Sequence, residues 1–208
     1  MTRRDQILAT AADLFAARGF HGVSVADLGA ACGISGPALY KHFPSKDAML
    51  AEMLVSISEE LLRVGTERTR TARAQEEPTA AVVALVEWHI EFALEHRPLI
   101  VVQDRDWESL PAEARERVRS LQREYVDLWA TQLRRIHGDL HLDRARAMAH
   151  AAFGLINSTP HSALLPDEQM RDLLRDMAVA SLGVGTASEG RAVSEGRKGD
   201  DRVDQPGA

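Results

Sequence analysis

A single cysteine, Cys32, in 208 residues leaves no partner for an internal disulfide. That suits a reducing cytosol, and a cytoplasmic protein is expected. No apolar run approaches the roughly 18 residues that a membrane-spanning helix needs, so no membrane partner is expected. The opening segment, MTRRDQILATAADLF, starts basic and turns apolar like a secretory signal. Asp5 and Asp13 interrupt it, however, and its apolar residues recur at helical spacing, so it reads as a folded amphipathic helix. The chain also lacks a Gly-rich phosphate loop, a GxSxG elbow, an HExxH pair and any Cys/His cluster. Those absences remove the usual signatures of nucleotide, acyl-transfer and zinc chemistry. Asp104, Asp106 and Glu108 form an acidic group, but QDRDWES reads better as a charged helix end than as catalytic carboxylates. His89 and His96 are seven residues apart, two turns rather than the single turn that lets two ligands chelate one ion. No metal, no cofactor and no enzymatic activity are expected. Cys32 reads as a small buried filler rather than a redox sensor.

An overall basic excess is missing too, since the net charge is −6. Its distribution is more informative than its sum. Residues 1–50 carry five Lys/Arg and four acids, while the remainder carries 20 bases and 27 acids. A near-neutral head with a few basic points on an acidic body does not coat nucleic acid nonspecifically, which needs many phosphate contacts. It fits a small DNA-reading head on a body that stays away from DNA.

The head is organised around SVADLGAACGISGPALYKHFPSK, Ser24 to Lys46. Ser24 is a candidate N-cap, with Asp27 placed to answer the free amides of the first turn. Val25, Leu28 and Ala31 then share one face, and Gly33 offers a left-handed stop. Ser35 caps a second short helix, with Pro37 in its first turn, where a missing amide costs little. That helix is expected to run about two turns and end near Phe43-Pro44. Two short helices around a Gly-bearing turn make a helix-turn-helix, whose second helix enters the DNA major groove.

The first helix is expected from Arg3 to Arg18, with Ile7, Leu8, Ala11, Leu14 and Phe15 as its apolar stripe and Gly19 as its end. Phe20 and Val23 are expected to plug the space between it and the next two helices. Ser45 caps a fourth helix that carries Leu50, Met53, Leu54, Ile57 and Leu61 down to about Arg63. The polar tract GTERTRTARAQEEP holds the end of that helix and a loop, and marks the passage from head to body.

The body reads as all-helical. Residues 78–96 are apolar on more than one side, and Pro98 breaks that helix. Leu99 to Val102 passes for a strand by periodicity but has no partner strand, so it reads as a short helix. Further helices are expected over 111–137, about 142–158 and about 166–182. The Gly- and Ser-rich end cannot bury enough surface to offset its ordering entropy and reads as a disordered tail. The chain divides into a head over 1–47, a body over 48–183 and a tail over 184–208.

The first fifty residues resemble the tetracycline-repressor (TetR) family of bacterial one-component regulators. The resemblance rests on ARGF-HGVSV, on ADLGAACGIS and above all on ALYKHFPSKDAML. It covers about the first quarter of the chain by motif and the rest by helical plan and length. One departure is Pro37, where many members carry Gly. The resemblance implies an all-α homodimer, with an N-terminal three-helix helix-turn-helix head on a helical C-terminal ligand-binding and dimerisation domain. It implies that the last two helices, about 142–158 and 166–182, pair with the partner's. Their Ala faces, Ala145, Ala149, Ala152 and Ala178, allow close approach, although packing within one subunit uses the same residues.

Exposed positions of the second motif helix are expected to read DNA: Gly36, Pro37, Ala38, Tyr40, Lys41 and His42, with Leu39 and Phe43 turned inward. Ser24, Ser35 and Lys46 lie at helix N-termini, where free amides favour a phosphate. Arg3, with Arg4, is placed to reach the DNA backbone or minor groove. In the body, polar and aromatic residues within apolar stripes are pocket candidates: Trp88, His89, Phe92, His96, Asp104, Trp107, Tyr125, Trp129, Phe153 and Asn157. Singly, such aromatics are most often core. His89 and Asn157 are the more informative, because a buried polar group needs a partner.

The expected function is a repressor that leaves a palindromic operator when a small effector binds and helix four swings. The body loosely resembles regulators of lipid and acyl-CoA metabolism, in which Arg97 or Arg105 would meet a phosphate. A repressor of a drug-efflux gene with an antibiotic effector is an alternative. An all-helical interaction module without DNA binding is another, of a different class.

Overall fold

The structure is a computed structural model and describes residues 2–71, 76–162 and 164–184. Among these residues it is all-helical, and no helix is long and apolar enough to cross a membrane. In chain order the helices are α1 (Arg3–Arg18), α2 (Val25–Ala31), α3 (Gly36–Leu39), α4 (Lys46–Thr69), α5 (Pro78–Glu95) and α6 (Arg97–Asp106). A 3₁₀ turn (Trp107–Ser109) leads to α7 (Ala112–Ile136), α8 (Leu142–Ile156) and α9 (Asp167–Ser181).

The head forms where the sequence places it. Thr2 and Asp5 make a reciprocal cap on α1, and Ser24 and Asp27 make a second on α2. Gly19 and Gly33 stop these helices with φ of 80° and 66°, a region open to glycine without steric cost. Ile7, Ala11, Phe15, Phe20, Val23, Leu28, Leu39 and Phe43 close one core with Met49, Leu50, Met53 and Leu54 of α4. Ala31 is exposed rather than on the inner face. Gly29 is buried in its place, because a Cβ there would lie 2.8 Å from the Ile34 carbonyl oxygen.

The motif's second helix is shorter than expected. Regular α-helix spans only Gly36–Leu39. Tighter bonds, Lys41 N–H to Ala38 O and His42 N–H to Leu39 O, carry the turn on to Phe43.

The fourth helix continues past its expected apolar stripe to Thr69, so its end falls inside the polar tract expected to hold it. Gly65, the first residue of that tract, is still helical and is buried against Tyr125, Leu85 and Leu128. Its missing side chain is what lets α4 pack closely on α5 and α7. Residues 72–75 of that tract lie outside the described residues.

Leu99 to Val102 is helical, as the first half of α6. Helices α4 to α8 surround the body's interior, and α9 packs on α5 and α8. Ala145, Ala149, Ala152 and Ala178 are all buried inside the subunit, so the internal-packing alternative holds for these four. Val184 is buried and closes α9 with a bond to Val179 O. The expected tail from residue 185 on lies outside the described residues.

Candidate DNA-reading head and ligand cavity

The short α3 is held by its neighbours. Leu39 and Phe43 are buried beneath it, and Ser35 caps its start through the Ala38 amide. Arg4 of α1 holds its far end: the guanidinium donates to His42 O, pairs with both Glu52 carboxylate oxygens, and lies 4.1 Å over the Phe43 ring. Arg4 therefore serves as a clasp between α1, α3 and α4 and is not free to reach DNA. The clasp leaves Ser35, Pro37, Tyr40 and Lys41 exposed on one edge, with Gly36, Ala38 and His42 half-buried beside them. Tyr40 is 54% exposed, unusual for an aromatic ring.

Lys46 departs from the sequence expectation. Its ammonium donates to the carbonyls of Phe20 (2.7 Å) and Val23 (2.8 Å) and lies over the Phe20 ring. It stitches the α1–α2 connection to the start of α4 rather than offering a charge to phosphate. Arg3 is exposed and donates to Cys32 O. The Ser24 hydroxyl and amide both bond to Asp27, and these bonds hold the Asp27 carboxyl below the usual carboxylate range.

The body holds a cavity of about 230 Å³ between α4, α5, α6, α7 and α8. Six of the ten predicted pocket residues line it: His89, Phe92, Asp104, Tyr125, Phe153 and Asn157. The other four do not. Trp88 turns to α4 and donates from its indole to Leu61 O. His96 lies at the junction of α5 and α6, on a separate hollow near α1. Trp107 sits on the 3₁₀ turn with Arg119 over its ring. Trp129 is fully buried behind the cavity wall, edge-on to Phe153 at 5.0 Å.

Sequence reading missed Gln103, Gln122, Ser58 and His150, which supply polar groups to the lining. Gln122 and Tyr125 are three apart on α7, the spacing of one helix face, which is the signal that could have found it.

The inner wall is a stack of rings. His89 lies parallel to Phe153 at 4.7 Å and near-parallel to Tyr125 at 5.7 Å. Its Nε2 meets Asn157 Oδ1 at 3.1 Å and its Nδ1 meets the Tyr125 hydroxyl at 3.4 Å. With the amide oxygen facing the ring, Nε2–H donates and Nδ1 accepts. Burial pushes the His89 pKa down to about 4, against a smaller upward pull from Asn157. The imidazole is therefore neutral in the folded protein at neutral pH. Among the described residues, no Lys or Arg lines the cavity. Arg97 pairs with Asp167, and Arg105 is engaged with Asp106 and with backbone carbonyls of α1, so neither supplies a phosphate site inside it.

The depressed His89 pKa makes stability depend on pH in a defined window. Above the unfolded value of about 6.5 the ring is neutral in both states, and its titration contributes nothing. As pH falls below that value the unfolded chain takes up the proton first, so stability is lost progressively down to about pH 4. The loss is about 3 kcal/mol over that window. Urea titrations from pH 7 to pH 4 on wild type and His89→Phe test this. The variant is expected to be less stable at pH 7, with Asn157 unpaired, but flatter with pH by about that amount. Parallel curves for the two proteins would show that His89 does not carry the dependence.

Two family models match the chain. One, described as bacterial regulatory proteins, tetR family, matches residues 7–53. The other, described as tetracyclin repressor-like, C-terminal domain, matches residues 75–161. Together they cover more than half of the chain. The HTH-type transcriptional repressor KstR2 of Rhodococcus jostii (strain RHA1) is 32% identical over 128 residues, 61% of this chain and 61% of the relative. KstR2 of Mycolicibacterium smegmatis (strain ATCC 700084 / mc(2)155) is 43% identical over 53 residues, 26% of each chain. The chain thus spans about three fifths of the first relative's length and a quarter of the second's. Among solved structures, the TetR family transcriptional regulator PfmR from Thermus thermophilus superposes with a TM-score of 0.75 at 26% identity. That superposition covers 94% of this chain and 100% of the other.

Proposed function

The chain belongs to the TetR family, and from that premise we propose that it is a DNA-binding transcriptional repressor, released from its operator by a small-molecule effector. The observation that carries this reading is the shared helix α4. Its first turns close the head core through Met49, Leu50 and Met53, and its middle lines the cavity through Ile57, Ser58 and Leu61. An occupant of the cavity therefore touches the element on which the head is built. Residues 1–47 act as the reading head and the rest of the folded chain as the sensor. The repressors that it resembles support this sign of regulation.

The cavity's chemistry supports an effector whose buried part is apolar and uncharged. Ile57, Leu61, Leu99, Ile100, Leu121 and Val126 offer aliphatic walls, and the described lining holds no Lys or Arg to offset a buried carboxylate or phosphate. A lipid-like molecule fits. If that molecule is an acyl-CoA, its acyl part enters and its phosphates stay outside.

A gel shift with the chain's own upstream DNA tests the reading. A shift competed only by the specific site supports it, and no shift favours the interaction module. A thermal-shift screen with acyl-CoAs, fatty acids and antibiotics, followed by operator release with any hit, tests the effector class. Release by antibiotics alone favours the efflux alternative.

The proposed dimer face lies on α8 and α9. Ala147, Ala151 and Gly154 are exposed small residues on α8. Leu173 and Met177 on α9 are 45% and 47% exposed. Such a face, small on one helix and large on the other, suits close packing against a second copy. Met177→Glu is expected to give a monomer by light scattering, with operator affinity lost along with the dimer. A dimer that persists unchanged would place the interface elsewhere.

A further inference from the structure

Helix α6 touches the cavity and the head at once. Leu99, Ile100, Gln103 and Asp104 line the cavity. The very next residue, Arg105, leaves the body and reaches the last turn of α1. Its Nη1 donates to Ala16 O at 3.0 Å and its Nη2 to Phe15 O. The same guanidinium pairs at 3.1 Å with Asp106, whose carboxylate is buried and aims it. A second link lies close by, where the Ser109 hydroxyl meets His21 Nε2 at 3.0 Å.

The last four carbonyls of any helix have no partner within the helix, and the helix dipole makes that end negative. In the head, α1 ends at Arg18, and of its final carbonyls Phe15 O accepts the Gly19 amide. Arg105 supplies a cation and two donors to this end from outside the head. It is a helix C-cap contributed by the sensing domain. Its position is set by α6, a single unbroken helix of ten residues. A shift of α6 that accommodates an occupant beside Gln103 and Asp104 has to move the cap as well.

We propose that Arg105 is the positioning residue through which occupancy of the cavity reaches α1, alongside the route through α4. This rests on the regulator reading above. An occupied cavity moves α6, strains the bonds from Arg105 to Phe15 O and Ala16 O, and loosens the orientation of the head. Arg105 touches neither effector nor DNA.

The test uses the full chain and needs no identified effector. Leu121→Trp fills the cavity from the α7 side and stands in for an occupant. Val126→Phe serves the same purpose if that variant does not fold. Each is combined with Arg105→Gln in a double-mutant cycle. Operator affinity is measured on the chain's upstream DNA, and amide hydrogen exchange is measured for residues 15–22. Filling the cavity is expected to weaken operator binding about tenfold or more with Arg105 present and less than about threefold with Gln at that position. Exchange at residues 15–22 is expected to quicken on filling in the Arg105 background, and to be fast in Arg105→Gln whether or not the cavity is filled.

A merely structural Arg105 gives the same factor in both backgrounds, and that result overturns the proposal. So does exchange at residues 15–22 that filling leaves unchanged. If no DNA is bound at all, the regulator reading fails, and the exchange arm still decides whether Arg105 couples cavity to head.

Discussion

Replacing Gly65 with alanine lowers the melting temperature of this protein. Helix propensity alone predicts the reverse, because alanine inside a helix is favoured over glycine by about 1 kcal/mol. Packing decides the sign. A Cβ at position 65 would lie 2.7 Å from Tyr125 Cε2 and 3.3 Å from Leu85 Cδ2. Tyr125 cannot swing away cheaply, because it is buried and stacked with His89 and Phe153. Forcing a methyl group into a filled core costs about 1–3 kcal/mol, and at contacts this close the upper end applies. The net loss for Gly65→Ala is then about 1–2 kcal/mol. Gly65→Val adds two more methyl groups at the same contact and loses about 3 kcal/mol. For a chain of this size that is a fall of roughly 6–12 °C for the valine variant. Melting curves of the two variants beside wild type settle the matter. An alanine variant that melts higher than wild type means that α4 and α7 have room to part.

The second large effect is on DNA. Tyr40→Ala with Lys41→Ala is expected to weaken operator binding by about 100-fold or more at fixed salt while leaving the melting temperature within a degree or two. Both side chains are exposed on the α3 edge and contribute nothing to the core, which Leu39 and Phe43 fill from beneath. A good contact to a base edge is worth about 1–3 kcal/mol, and a dimer loses each contact twice. Lys41 is expected to account for most of the salt dependence and Tyr40 for most of the sequence preference. Fluorescence anisotropy with an operator duplex at two salt concentrations separates them. Wild-type affinity in the double variant removes α3 as the reading element.

Much of the head was legible because its signals are local. Ser24 with Asp27, Ser35, Gly19 and Gly33 act within a few residues of themselves, and each does what its type and spacing imply. The failures come from contacts between distant parts of the chain. The packing role of Gly65 is not visible in the sequence because the residue that needs its missing side chain, Tyr125, is sixty positions away. Lys46 reads as an exposed cation at a helix start, and only the fold reveals the Phe20 and Val23 carbonyls that it serves.

The alanines of α8 and α9 show a related limit. Ala145, Ala149 and Ala152 and the exposed Ala147 and Ala151 are interleaved on one helix. Periodicity gives two small-residue faces without saying which one looks inward. In the cavity, polar or aromatic type within an apolar stripe found six residues and also picked four that pack elsewhere, of which His96 lines a separate hollow. The glutamines escaped notice because a single polar residue on a long helix looks like solvent-facing surface.

The brevity of α3 has a thermodynamic consequence of its own. Helices shorter than about 12–15 residues do not persist in isolation, and α3 has four. Its shape is borrowed from the Arg4 clasp and from Leu39 and Phe43. The segment proposed to touch the double helix is therefore expected to loosen more readily than the longer head helices, within the limit set by the buried Leu39 and Phe43. Part of the free energy of DNA association is then spent on ordering the protein itself. Calorimetry is expected to find a heat-capacity change more negative than the contact surface alone accounts for.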